Sequence, residues 1–107
     1  MKILLFYITF PNQATTANII KLLLEKRLIA CANILPITAC YEWNGVMQND
    51  GEIAVLFKSI PKLANTVIEE VEKNHPYDVP CIISWVVEAN EIYGKWVHVQ
   101  VKDSHEG

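Results

Sequence analysis

Several features that mark common protein classes are missing from this sequence of 107 residues. Lys and Arg form no run and the formal net charge is −3, so the chain lacks the basic surface of a nucleic-acid-binding protein. No stretch approaches the roughly 20 consecutive apolar residues that a membrane-spanning helix requires. The four glycines are scattered and form no phosphate-binding loop, and no catalytic motif stands out. We therefore expect neither a nucleic-acid nor a membrane partner.

Cysteine is scarce, and its positions bear on the compartment. The chain has three cysteines, Cys31, Cys40 and Cys81. An odd number without C-x-x-C spacing does not indicate a disulfide framework. All three lie in apolar stretches, so we expect buried, unreactive thiols. The N-terminal stretch MKILLFYITF has one Lys and no small-residue cleavage site, unlike a secretory signal. These observations predict a cytoplasmic protein.

Apolar residues, in contrast, are plentiful. They make up 51% of the chain, the upper end of ordinary composition. A domain of this length buries only one modest core, so part of the apolar surface is expected to face another subunit. We predict a single domain over residues 1–107 in an obligate oligomer, with residues 103–107 as a flexible tail.

Hydrophobic periodicity predicts the first strand and two helices. The almost uninterrupted apolar run over 2–10 is typical of a strand covered on both faces. Helical spacing over 13–28 predicts an amphipathic helix, with Asn12 or Thr15 as its N-cap. A second amphipathic helix is expected over 59–74, because a proline lies in its first turn and another follows its end.

A long hairpin is expected between the two helices. Strand-like runs over 30–43 and 46–58 are joined by Asn44-Gly45, the strongest short hairpin signal. Pro36 interrupts the first run and indicates a bulge or a sheet edge, because proline cannot donate to a strand ladder. The polar stretch over 48–52 indicates that the far end of the hairpin projects beyond the sheet.

The element order predicts the fold class. An apolar run over 81–88 indicates a fourth strand, and a helix is expected after Asn90, although 97–101 fits a helix or a strand. The order is β-α-β-β-α-β with a C-terminal helix. It predicts an α+β, ferredoxin-like sandwich, with an antiparallel sheet, two helices on one face and a long projecting hairpin.

Five segments together resemble the CutA family of divalent-cation tolerance proteins. They are TFPNQATTANII, LLEKRLIACANILP, YEWNGVMQNDGEIAVLFKS, NHPYDVPCII and IYGKWV. They cover nearly the whole chain in the family's order. The resemblance implies the same fold in a homotrimer, whose hairpins pair with neighbouring subunits and so remove exposed strand edges. It also implies a response to metal ions, with copper or another divalent cation as a bound ion, and no catalytic activity.

The chain departs from the family pattern where metal ligands are concerned. Some members carry Cys at the position of Ile8 and His at the position of Asn74, so only His75 remains of that set. Copper prefers soft sulfur or several nitrogens, and a single imidazole is a poor site for it. His75 is the one metal-ligand candidate. The alternative is a scaffold role at the end of the second helix, where a histidine caps carbonyls and complements the helix dipole.

Four further side chains are candidates for a cleft between subunits: Cys31, Tyr41, Trp43 and Tyr77. Tyr41 and Trp43 flank the hairpin and either line a pocket or anchor a subunit interface, as aromatic residues often do. Tyr77 is expected to pack its ring and to find one hydrogen bond for its hydroxyl.

Two other functions stay open. A trimeric signalling protein of the PII type resembles this fold and assembly and would sense a nucleotide or metabolite, but the hairpin lacks the basic cluster that phosphate requires. A small enzyme could act through Cys31, which would then need a nearby base and an exposed thiolate.

Overall fold

The computed structural model describes residues 1–102, which form one four-stranded sheet and three α-helices. The elements are β1 Lys2–Phe10, α1 Gln13–Glu25, β2 Cys31–Trp43, β3 Val46–Ser59, α2 Ala64–Asn74, β4 Ile82–Glu88 and α3 Glu91–Gln100, with a 3-10 turn Pro61–Leu63 before α2. The predicted α+β, ferredoxin-like order with a C-terminal helix is confirmed. The predicted tail at 103–107 lies outside the described residues, and the single domain stays a prediction.

The sheet has strand order β2-β3-β1-β4, and every pairing is antiparallel. β1 is central, and its alternate residues Phe6, Ile8 and Phe10 are fully buried. They form one core with the inward residues of both helices, chiefly Ile19, Leu23, Val67 and Val71. The two helices therefore cover one face of the sheet, as predicted. Among residues 1–102, no helix combines the length and the apolar character needed to cross a membrane.

The opposite face, which we call the open face, carries exposed apolar side chains. Direct cross-strand partners point to the same side of a sheet, so Trp85 lies beside Leu5, and Ile83 lies beside Tyr7. Ile83 is 52% exposed and Trp85 is 43% exposed. Leu35, on the same face, is also exposed. A large exposed apolar patch on a sheet is typical of an interaction surface.

Helix α1 begins as predicted and ends earlier. The Asn12 side chain accepts a hydrogen bond from the Thr15 backbone N–H at 2.8 Å, so Asn12 is the N-cap. The predicted end at residue 28 is wrong, because Arg27 adopts a left-handed conformation with φ 58°. Its guanidinium donates to the Val99 and Gln100 carbonyls at the end of α3. This long-range contact turns the chain at a position where helical periodicity alone continues.

Strands β2 and β3 form a long ribbon. Their register is unbroken from the pair Cys31–Lys58 to the pair Trp43–Val46. Pro36 therefore makes no bulge and instead lies on an edge strand. β1 pairs with β3 only as far as Ile53, so beyond this point the ribbon has two strands and projects from the sheet, as predicted. It lengthens the molecule to 47 × 26 × 21 Å.

Candidate functional site

A cleft of about 450 Å³ lies between the projecting part of the ribbon and the segment between α2 and β4. It is lined by residues of β1, of both ribbon strands and of that segment: Thr9, Ala39, Tyr41, Trp43, Gln48, Glu52, Tyr77, Asp78, Val79 and Cys81. Three of the four predicted cleft residues, Tyr41, Trp43 and Tyr77, are thus brought together. The β2 residues that line the cleft follow Leu35 at every second position, and alternate residues of a strand point to the same face. The cleft therefore opens on the same side as the open face.

Two tyrosine–carboxylate hydrogen bonds organise the cleft. The Tyr77 hydroxyl donates to Glu52 Oε2 at 2.5 Å, and the Tyr41 hydroxyl donates to Asp50 Oδ2 at 3.0 Å. Burial and the Glu52 carboxylate raise the pKa of Tyr77 far above its ordinary value. The hydrogen bond to Asp50 is the main reason that the pKa of Tyr41 is raised. Both phenols therefore stay protonated, and the negative charge remains on the carboxylates.

Cys81 is a cleft residue that the sequence did not identify. It lies just before β4, directly after the Tyr77–Pro80 segment. Burial, reinforced by the Glu52 charge, raises the pKa of the Cys81 thiol. The strand register could have revealed this position. Ile82 pairs with Ile8 in antiparallel strands, so Cys81 lies beside Thr9. The prediction that all three cysteines are buried is wrong, because Cys40 is exposed and the other two are partly exposed. Cys40 lies in the projecting two-stranded part of the ribbon, where neither helix covers its side chain.

Cys31, the fourth predicted cleft residue, lies elsewhere. It begins β2, ten residues before Tyr41, and a strand rises about 3.3 Å per residue, so roughly 30 Å separates them. Its Sγ atom is 4.0 Å from the Lys58 ammonium. Burial and the neighbouring Cys31 thiol raise the pKa of Tyr93. Cys31 thus belongs to a lysine–tyrosine neighbourhood at the end of β2 that is farthest from the hairpin turn.

His75 is buried and both of its ring nitrogens are occupied. The Tyr77 backbone N–H donates to Nδ1 at 3.1 Å, so Nε2 carries the proton and donates to the Thr9 carbonyl at 2.8 Å. The ring stacks on Phe10, with centroids 5.1 Å apart. His75 follows the last helical residue of α2, as expected for a scaffold role. Its ring bonds the Thr9 carbonyl of β1 and not a helix carbonyl. The helix carbonyl of Glu70 accepts instead from the Asn74 side-chain amide.

This arrangement is poorly suited to a metal ion held by one chain. An ion at His75 would have to displace the Tyr77 N–H from Nδ1 or the proton from Nε2. Over residues 1–102, no group of three His, Cys, Asp or Glu side chains could hold a metal ion. A metal ion held by three or more such side chains would therefore need donors from a second chain.

The fold and the cleft define a ferredoxin-like α+β protein with a projecting ribbon and an acidic, aromatic cleft beside that ribbon. The chain belongs to the CutA1 divalent ion tolerance protein family, whose family model matches residues 4–100. The predicted family resemblance is confirmed.

Relatives from distant organisms support this assignment. The divalent-cation tolerance protein CutA of Pyrococcus horikoshii is 38% identical over 100 residues, which cover 92% of this chain and 98% of the relative. Protein CutA of Mus musculus is 39% identical over 100 residues, but these cover only 56% of the mouse protein.

Solved structures agree with the fold. The crystal structure of CutA1 from Pyrococcus horikoshii matches with a TM-score of 0.90 at 37% identity, covering 94% of this chain and 99% of that one. A structure described as the periplasmic divalent cation tolerance protein CutA from Archaeoglobus fulgidus matches with a TM-score of 0.89 at 33% identity, covering 94% and 99%.

Proposed function

We propose that this protein is a cytoplasmic homotrimer that serves divalent-cation tolerance by binding a cationic ligand in the cleft between subunits, without catalysis. The observation that carries the proposal is the charge of the cleft. The charged side chains among the lining residues are the carboxylates Glu52 and Asp78, and Asp50 adds a third through its bond to Tyr41. A concave site with charge of one sign concentrates ligands of the opposite sign.

The subunit boundary is proposed because the cleft and the open face lie on the same side of the sheet. Trp43 is 50% exposed and Val79 is 71% exposed, and both line the cleft. Exposed aromatic and aliphatic side chains of this kind are typical anchors of obligate interfaces. The number three comes from the family resemblance, in which ribbons pair with neighbouring subunits.

Direct binding of a divalent cation such as copper would use donors from two subunits. One chain offers carboxylate oxygens from Glu52 and Asp78 and the thiol of Cys81, which is fewer than the four ligands of a tetrahedral site with suitable geometry. Glu52 is already engaged with Tyr77. A second copy that contributes His75 would have to release one of the two hydrogen bonds of that ring.

The side chains around the cleft and around Cys31 count against the two alternative functions. A nucleotide, as in a PII-type sensor, carries phosphates that the carboxylates of Glu52 and Asp78 would repel. Catalysis through Cys31 would need a base beside the thiol, and its described neighbours there are Lys58 and Tyr93. Because the pKa of Tyr93 is raised, its phenol keeps its proton and does not act as a base at neutral pH.

Isothermal titration of the purified protein with Cu²⁺, Zn²⁺ and Cd²⁺, together with a thermal-shift screen that includes ATP and ADP, tests the proposal. We expect no stabilisation by nucleotides, and Glu52→Gln should weaken any cation binding about tenfold or more. Glu69→Gln, an exposed carboxylate on α2, is the matched control and should bind as the wild type does. Stabilisation by ATP, or equal binding by both variants, would contradict the proposal.

A further inference from the structure

The composition of the cleft favours one class of cation, and this inference rests on the proposed function that the cleft binds a cationic ligand. We propose that the ligand is a small organic cation, an ammonium or guanidinium group carried on a short apolar body. Three features of the cleft support the inference. Aromatic side chains line it, its hydrogen-bond acceptors outnumber its donors, and its volume is too large for a bare ion.

Aromatic faces distinguish an organic cation from a hydrated metal ion. Tyr41 and Trp43 on β2 and Tyr77 on the facing segment line the same cleft. Trp and Tyr rings attract an ammonium or guanidinium group within about 6 Å of the ring centroid, and several such rings recognise alkylammonium ligands. Trp43 and Val79 also offer apolar surface to the carbon atoms that carry the charge.

Hydrogen-bond acceptors outnumber donors in the cleft. The hydroxyl protons of Tyr77 and Tyr41 are already donated to Glu52 and Asp50. The phenol lone pairs and the remaining carboxylate oxygens are therefore left to accept, along with an Asp78 carboxylate. An ammonium group has only donors, as does a guanidinium group. The raised pKa values of Tyr41, Tyr77 and Cys81 agree with this, because nearby carboxylate charge contributes to each.

Size and ligand geometry argue against a bare ion. The volume of about 450 Å³ falls in the range of about 300–1,000 Å³ that is typical of small-molecule sites. A metal ion would instead need several donors converging on one point, and residues 1–102 contain no group of three His, Cys, Asp or Glu side chains that could hold one. Cys81, the one soft donor lining the cleft, has a thiol whose proton a metal would have to displace.

Butylammonium and benzylammonium ions are suitable probes, with butanol and benzyl alcohol as neutral controls of similar shape. Each is titrated into the full protein while the NMR signal of the Trp43 indole N–H is followed, after assignment with Trp43→Phe. We expect the amines to shift this signal in a saturable manner and to bind at least about tenfold more tightly than the alcohols. Glu52→Gln should lower amine affinity about tenfold or more, whereas Glu69→Gln should not change it.

The outcomes separate this inference from the proposed function. If the protein is a trimer and binds Cu²⁺ or Zn²⁺ in a Cys81-dependent manner, but shows no amine binding, the organic ligand class is wrong and the proposed function stands. If no cation of either kind binds, both are wrong. Equal binding of amines and alcohols, or unchanged amine affinity in Glu52→Gln, overturns the ligand class. Circular dichroism of each variant establishes that it is folded.

Discussion

His75 ties the end of α2 to the central strand, although its position between helix and loop resembles that of a ligand. Replacing it with Ala leaves the Thr9 carbonyl and the Tyr77 N–H without partners and opens a cavity beside Phe10. We expect His75→Ala to lower the free energy of unfolding by about 2–4 kcal/mol, measured by urea denaturation.

A matched control is available on α3. The His98 ring bonds the Lys2 carbonyl at 3.0 Å at an exposed position, so His98→Ala should cost about 1 kcal/mol or less. If His75→Ala abolished metal binding while leaving the free energy of unfolding unchanged, the ligand role would replace the scaffold role argued above.

A smaller part of the cleft could be predicted residue by residue, and the residues that were missed have a physical cause. Tyr41 and Trp43 stood out because aromatic residues at a hairpin often line pockets or anchor interfaces, and Tyr77 stood out through the family resemblance. Glu52 and Cys81 did not, because their place in the cleft depends on the register of β3 against β2 and on the path of the chain after α2. Cys31 lies away from the cleft for the same reason, since strand length sets its distance from Tyr41.

Tyr77 gives the cleft a signature in alkaline solution. Because its pKa is raised above the ordinary value of 10.0, the folded protein holds this proton more tightly than the unfolded chain does. The stabilisation is fully present below pH 10.0 and is lost as pH rises above that value towards the higher pKa of the folded state.

Urea denaturation at fixed chain concentration, at pH 8 and at pH 11, should therefore show a smaller loss of stability in Tyr77→Phe than in the wild type. Glu52→Gln removes the charge and should reduce the same loss. A Tyr77→Phe variant that lost stability with pH as steeply as the wild type would contradict the link between this phenol and Glu52.

The ribbon is the element on which both the cleft and the proposed assembly depend, and its turn can be tested alone. Asn44 and Gly45 both have positive φ, 53° and 78°, as a two-residue type I′ turn requires. Gly45→Ala places a Cβ in a left-handed conformation and should cost about 1 kcal/mol. The measurement is the free energy of unfolding from denaturant titration.

Gly51 is the matched control in the same ribbon. It has no positive φ, and an added Cβ would meet no atom within 4 Å. Gly51→Ala should therefore be neutral or slightly stabilising, because alanine restricts the unfolded chain. Equal destabilisation by the two alanines would show that the turn conformation is not what fixes the ribbon.

At the level of elements, prediction succeeded wherever the signal was local. Apolar runs, the Asn44-Gly45 turn and the proline after α2 each act on their own neighbours, and the corresponding strands, hairpin and helix end are confirmed. The predicted end of α1 was wrong because Arg27 leaves the helix and binds carbonyls of α3, some 70 residues further along the chain. Helical periodicity carries no information about such a contact.

For the whole molecule, part of the surplus of apolar residues in the sequence lies on two surfaces on one side of the sheet. The open face exposes Ile83 and Trp85, and the ribbon exposes Trp43 and Val46. Neither surface is covered by another part of residues 1–102, and a two-stranded ribbon with free edges is a liability in an isolated chain. A partner that covers the open face and pairs with the ribbon would remove both problems and would close the cleft on its solvent side.

Assembly is therefore expected to depend on the open face and not on the outer helices. Light scattering at micromolar concentration should give the wild type three times the chain mass of 12.2 kDa. Ile83→Glu places a charge on the open face and should shift the mass towards the monomer, because an unpaired charge in an interface costs several kcal/mol. Leu24→Glu, at a comparably exposed position on α1, should remain trimeric. A monomeric wild type would contradict the assembly and leave the ligand bound by one chain. Dissociation caused by Leu24→Glu alone would place the interface on the helices, away from the cleft.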